Sequence, residues 1–141
     1  MSLKQISVFL ENKKGRLAEV TDILGKNGIN IKAMSLADTS DFGVLRLIVN
    51  DPDRCVTILK SSGFVAQETD VIGIEVEDKP GGLFRVLDIL EKNSINVEYM
   101  YATVEKNKNF AIVIFKVDVK ERAMKILSDN KISIASNSDI S

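Results

Sequence analysis

The chain contains no histidine, which removes the commonest general base, metal ligand and triad member at once. A Ser-His, Cys-His or histidine-based metal mechanism cannot be assembled from these residues alone. Lys, Asp and Tyr remain, so catalysis is the weaker reading rather than an impossible one, and neither a metal nor another cofactor is expected. There is one cysteine, Cys55; it excludes an internal disulfide and reads as a small apolar residue on a helix. No apolar run approaches the length of a membrane span and the N-terminus lacks a signal-peptide pattern, so a cytoplasmic protein is expected. The net charge is −1, from 19 basic and 20 acidic residues with no long run of either sign. That balance gives no electrostatic footprint for nucleic acid or an anionic membrane. What is present is an ordinary globular composition, 141 residues with 45% apolar and 28% charged, enough for a real core.

The chain says the same thing twice. The segment LENKKGRLAEVTDILGKNGINIKAM from Leu10 returns as VEDKPGGLFRVLDILEKNSINVEYM from Val76, with Gly15 and Gly81 fixing the register at 81 − 15 = 66 residues. A later match, FGVLRLIV against FAIVIFKV, lies at 110 − 42 = 68, so the second copy holds two extra residues between Met100 and Phe110. Two copies of one small module form an intrachain pseudo-dimer, whose interface is a place for a ligand or partner.

Hydrophobic period organises each copy. Ile6, Val8 and Leu10 alternate with Ser7, Phe9 and Glu11, the pattern of a strand with one apolar face. Leu17, Val20, Ile23, Leu24 and Asn27 then fall at helical spacing, and Gly28 marks the helix end. Residues 29–38 read as a second strand, a hairpin around 39–41 leads to a third over 42–49, and Asp51-Pro52 supplies a cap and first helical residue. Cys55, Val56, Ile58 and Leu59 give the second helix its stripe, and residues 64–71 close the unit as a fourth strand. The second copy repeats the order over 72–77, 83–93, 95–104, 110–117, 120–129 and 132–139. The order βαββαβ is that of the ferredoxin-like split βαβ, an α+β fold with an antiparallel sheet and two helices on one face. Domain one is expected over 1–71 and domain two over 72–141 with almost no linker. A unit of about 70 residues buries only about 60% of its unfolded surface, so the halves should pack as one body.

On the third strand of copy two, Ala111, Val113 and Phe115 can face the helices, leaving Phe110, Ile112 and Ile114 on the other sheet face. An apolar strip of that kind is an association surface when it is exposed. The expectation is a homodimer or an enzyme partner docked there.

The chemistry sits between first strand and first helix. ENKKGRL and EDKPGGL each place a glycine just before a helix, where backbone can approach a ligand and unpaired first-turn N–H groups point outward. Such a start attracts a carboxylate or phosphate, although a tight turn capped by Asn12 or Asp78 would use the same residues. Asn30 and Asn96 each open a second strand, where asparagine is unfavourable by propensity. Its amide can read the ammonium or the carboxylate of a zwitterion, or simply satisfy neighbouring backbone.

These residues resemble a family. The N-x-x-G-x-L turn, the G-I-N-I strand start and the βαββαβ order are similar to the ACT domain, an amino-acid-sensing module attached to many biosynthetic enzymes, and the likeness covers the chain as a stand-alone tandem. It implies two repeats side by side as one eight-stranded antiparallel sheet, with an effector site at their junction. By this resemblance Asn12, Lys14, Gly15, Arg16 and Leu17 would face Asn96 and Val97, and Asp78, Pro80, Gly81, Gly82 and Leu83 would face Asn30 and Ile31. The copies depart from one another: Lys14 stands where Pro80 keeps the family's proline, and Asp78 stands where copy one has Asn12. Asp78 would favour an amino group and repel a carboxylate, so the Asn12 loop is expected to be the stronger carboxylate binder, with Arg16 assisting. Tyr99 and Tyr101, which lack aromatic counterparts at Ala33 and Ser35, could contact the side chain of the ligand or pack the seam between repeats, and packing is the expectation.

Four classes of function are to be weighed. The first is a non-catalytic sensor whose bound amino acid modulates a partner enzyme. A structural interaction module without an effector is the alternative. An RRM-like RNA binder is weaker, because KNFAIVIF has Asn109 and Ile112 where that signature wants glycine and a second aromatic. An enzyme lacks any nucleophile–base pair, full phosphate loop or metal cluster in the sequence.

Overall fold

The computed structural model describes residues 3–38, 41–103, 109–136 and 140. In chain order the elements are β1 (Leu3–Glu11), α1 (Arg16–Lys26), β2 (Ile31–Asp38), β3 (Phe42–Val49), α2 (Pro52–Ser61), β4 (Val65–Glu77), α3 (Gly82–Lys92), β5 (Val97–Thr103), β6 (Phe110–Val117), α4 (Lys120–Asp129) and β7 (Ile134–Ala135). The chain divides into two units, Lys4–Thr69 and Met1–Leu3 with Asp70–Ser141.

In the Lys4–Thr69 unit the strand order is β2-β3-β1-β4. Antiparallel pairing sets Ile6 opposite Leu47 and Val8 opposite Leu45, and it sets Leu36 opposite Leu45 on the other side of β3. The alternation read from β1 therefore becomes a buried row of Ile6, Val8 and Leu10, continued by Leu45, Leu47 and Val49, against Val20 and Leu24 of α1 and Cys55 and Leu59 of α2. Each fully buried side chain of this size contributes about 1.5–3 kcal/mol. The reverse of β1 carries polar groups that are nonetheless covered: Gln5 Nε2 donates to Ser7 Oγ at 3.1 Å, and Ser7 Oγ lies 3.3 Å from Thr69 Oγ1.

The other unit runs β7-β4-β6-β5. Ile72, Ile74 and Val76 of β4 and Val113, Phe115 and Val117 of β6 pack against Val86 and Leu90 of α3 and Ala123 and Leu127 of α4. The repeated asparagines Asn27 and Asn93 close helices, each Nδ2 donating back to the carbonyl four residues earlier at 2.8 Å. Gly28 follows Asn27 at φ 73, and Ser94 takes the same left-handed place at φ 57. Asp51 caps α2 as its sequence context predicts, its Oδ1 accepting from Arg54 N at 3.3 Å ahead of Pro52.

Two expectations change. The described residues hold seven strands, not eight, because the segments expected at 64–71 and 72–77 are one unbroken strand, β4. Nothing in that stretch can turn, since it lacks proline and its one glycine, Gly73, has no positive φ. The proposed partner face on β6 is also not open: Ile112 and Ile114 are 1% and 0% exposed, and Phe110 is half-buried. Leu3 covers it, for its Cδ2 lies 3.1 Å from the position a Gly73 Cβ would take and Ile112 Cγ2 lies 3.6 Å from the same point. Thr39 and Ser40 of the expected hairpin, Val104 of the expected strand 95–104 and the stretch 137–139 of the expected last strand lie outside the described residues.

Candidate functional site

Each helix-start loop is built the same way. Asn12 N donates to Asp41 O and Asp78 N to Asn109 O, both at 2.9 Å, which ties the end of the preceding strand to its hairpin. The helix then starts from a glycine in the left-handed region, Gly15 at φ 89 and Gly81 at φ 86, with no side-chain cap. Gly15 and Gly81 occupy the cap positions and offer no side-chain acceptor, and the first helical N–H is taken by the loop backbone in each copy, Arg16 N donating to Lys13 O at 3.2 Å and Gly82 N to Lys79 O at 3.0 Å. A Cβ on either glycine would meet nothing within 4 Å, so glycine is demanded by the backbone angle and the space above it is open.

Beyond the turn the loops diverge. Beside the first, Asn12, Arg16 and Leu17 line a hollow of about 60 Å³ with Leu10 and Leu36; Lys14 and Gly15 do not reach it. Arg16 is already engaged. Its Nη1 lies 3.0 Å from Glu19 Oε2, its guanidinium carbon sits 5.0 Å from the Phe64 ring centroid, and its Nε is buried without a hydrogen-bond partner. Beside the second loop lies a cavity of about 450 Å³ lined by Gly81, Gly82, Arg85, Phe110, Lys131 and Ile132, together with Glu75, Glu77 and Lys79. Asp78, Pro80 and Leu83 stand outside its wall. Lys79 Nζ lies 2.6 Å from Glu77 Oε2 and holds that carboxyl below its ordinary range, by hydrogen bond first and charge second. Arg85 Nη2 donates to Asn130 O at 3.3 Å.

The asparagines lie elsewhere in each unit. Asn30 N donates to Asn50 Oδ1 at 2.9 Å and Asn96 N to Asp118 Oδ1 at 3.1 Å, so the polar residue after β3 or β6 fixes each strand start. Both Asn30 and Asn96 are exposed, while Ile31 and Val97 pack on the cores. Glu11 pairs with Phe42 and Ile31 with Val49, the two ends of β3; Glu77 and Val97 pair likewise with Phe110 and Val117 of β6. The rise per residue puts about 23 Å between a loop and the asparagine of its own unit. Within one unit the two halves of the expected site do not meet.

Arg85, Lys131, Glu75 and Ile132 were not singled out in the sequence, and the signal that finds them is the difference between copies rather than their likeness. Among the described residues no group of three or more Asp, Glu or Cys side chains is placed to hold a metal, and no helix is long and apolar enough to cross a membrane.

The ACT domain pair family model matches residues 1–141. The chain belongs to the ACT domain pair family. Among solved structures, protein BT0572 from Bacteroides thetaiotaomicron is 40% identical, with 99% of this chain and 96% of that one covered and a TM-score of 0.94. The ligand-free regulatory subunit of aspartate kinase from Thermus thermophilus aligns at 15% identity over 89% of this chain and 91% of that one, TM-score 0.66. Its Thermus flavus counterpart aligns at 14% over 89% and 90%, TM-score 0.62. The two kinase subunits share the fold alone. No curated protein matches this ACT pair. ACT domains are regulatory, non-catalytic modules of an amino-acid-binding family, and this chain carries two in tandem.

Proposed function

We propose that this ACT pair is a non-catalytic sensor that binds a free amino acid and thereby modulates an enzyme with which it associates. The observation that carries the reading is the duplicated helix start: in a member of this family, two helices begin behind a left-handed glycine that supplies no side-chain cap and has open space above it. That arrangement suits a carboxylate. Asn12, Lys14, Gly15, Arg16 and Leu17 form one half-site and Asp78, Pro80, Gly81, Gly82 and Leu83 the other. Asn30 with Ile31, and Asn96 with Val97, supply the complementary halves. A free amino acid cannot bridge about 23 Å, so one ligand does not touch both the loop and the asparagine of a single repeat.

Binding to one state of the protein shifts its affinity for the enzyme by the difference in ligand affinity between states. A thermal-shift screen against the twenty amino acids, followed by calorimetry, tests this. A shift confined to one amino acid or a few related ones supports a sensor, and it names the pathway in which to seek the enzyme. A flat screen sinks the effector and leaves an interaction module, a reading favoured by the large apolar side chains Phe42 and Phe84, 63% and 70% exposed.

A further inference from the structure

The two units share a loop but not the space beside it. At repeat-equivalent positions the chain has Arg16 and Gly82, Glu19 and Arg85, Gly63 and Lys131, Phe64 and Ile132. In the Lys4–Thr69 unit the first member of each pair is present, and the Arg16 guanidinium lies over Phe64 at 5.0 Å while bonded to Glu19 at 3.0 Å. The guanidinium fills that space with its charge partnered by Glu19 and its face on the ring, and only its buried Nε is left without a hydrogen-bond partner. In the other unit the arginine is gone, the ring is trimmed to isoleucine, and about 450 Å³ is open. Gly82 contributes no side chain to it, and the backbone demands glycine there because a Cβ would lie 2.1 Å from Glu77 O.

We infer that the cavity walled by Gly82, Arg85 and Ile132 is the single amino-acid site of a chain whose first copy is plugged by its own Arg16, and that it takes an α-amino acid with an apolar side chain. Arg85 and Lys131 bring cations from two elements to meet a carboxylate. Glu75 and Glu77 line the same cavity and offer oxygens to an ammonium, and Val86, Phe110 and Ile132 supply its apolar lining. Lys131 adds to the case: it holds φ 61 where the first copy uses Gly63 at φ 88, a backbone angle that a residue with a Cβ adopts at a cost. The selection of copy two reverses the preference for the Asn12 loop drawn from the Asn12/Asp78 difference. The ligand class rests on the effector reading above; the location and the stoichiometry do not.

Titration calorimetry of the full chain with each of the twenty amino acids tests this on the wild type, Arg85→Glu and Ile132→Phe, two variants that write the first copy's chemistry into the second. The expected result is an apolar amino acid bound at one per chain, weakened about tenfold or more by Arg85→Glu through loss of a charged hydrogen bond, and weakened also by Ile132→Phe. Unchanged melting of Arg85→Glu, whose side chain is exposed, separates lost binding from lost fold. Binding at two per chain, or binding that neither variant moves, overturns the location and leaves the effector reading standing. Binding of polar amino acids alone overturns the ligand class. A wild type that binds none of the twenty overturns both readings.

Discussion

Two glycine-to-alanine substitutions should move stability in opposite directions. At Gly82 the new methyl carbon would lie 2.1 Å from the Glu77 carbonyl oxygen, against an ordinary carbon–oxygen contact of about 3.3 Å. The clash is with backbone, and that backbone is fixed: Glu77 O accepts from Lys79 N at 2.9 Å, Gly82 N donates to Lys79 O at 3.0 Å, and Asp78 N is tied to Asn109 O at 2.9 Å. The carbonyl must retreat by about 1 Å, and overpacking of this kind costs about 1–3 kcal/mol. Helix propensity returns little, because Gly82 is the first helical residue. At Gly25 near the end of α1 the methyl meets nothing within 4 Å, and replacing a helical glycine gains about 0.5–1 kcal/mol. For a unit of this size each kcal/mol shifts the midpoint by about 4–8 °C, so calorimetry should show Gly82→Ala down by about 5–20 °C and Gly25→Ala up by a few degrees. A Gly82→Ala protein as stable as the wild type would refute the contact geometry, and a destabilised Gly25→Ala would refute the account of open space.

Four further outcomes are expected. Ile114→Ala should lower stability by about 2–5 kcal/mol in urea titration, since the side chain is fully buried; a loss below about 0.5 kcal/mol would restore the open-face reading of β6. Asp51→Ala should cost about 1 kcal/mol by the same assay through loss of the bond to Arg54 N, whereas no change would deny the cap a role. Burial, reinforced by the charge of Asp51, pushes the Cys55 thiol from 9.0 up to about 11. A raised folded-state value stabilises the protein below the unfolded value, and that stability drains away as pH rises. Melting points of the wild type should therefore fall between pH 9 and 11 more steeply than those of Cys55→Val, and parallel curves would contradict this. Gly15→Val replaces the residue at φ 89, and unchanged amino-acid affinity in calorimetry would take the first loop out of the site, as the plugged-copy inference requires.

Legibility followed the physics of each feature. Periodicity found the helices and most strands because burial enforces period: Ile6, Val8 and Leu10 have no other reason to alternate with polar residues, and the Asp51-Pro52 pair names its own position. The fusion of two strands into β4 stayed hidden because 64–77 was divided by repeat alignment, while the backbone there had no signal to stop. The covered side of β6 was missed for a related reason. Alternation predicts which face a side chain takes but not what lies over it, and Leu3 sits far from Ile112 in sequence. At the candidate site identity between copies drew attention to Gly15, Gly81, Asn30 and Asn96. The cavity is set apart by residues that differ, Gly82, Arg85, Lys131 and Ile132, and Arg16 reads as a ligand-binding cation in the sequence but is engaged by a ring and a carboxylate in the structure.

The unbroken β4 also constrains how this sequence can change over evolutionary time. Ala66 is committed by its parity to one core, and Ile72, Ile74 and Val76 are committed by the same parity to the other. Gaining or losing one residue between them would turn one whole row outward, since a single-residue slip in a strand exchanges its faces. The junction of the duplicated gene segments is thus the place least free to vary in length, the reverse of an ordinary linker. Length difference between the copies has accumulated instead between Met100 and Phe110, where the second repeat carries its two extra residues. Relatives of this chain should show insertions between Met100 and Phe110 and none at 67–71, and a family member with one added residue at 67–71 must have rebuilt a core.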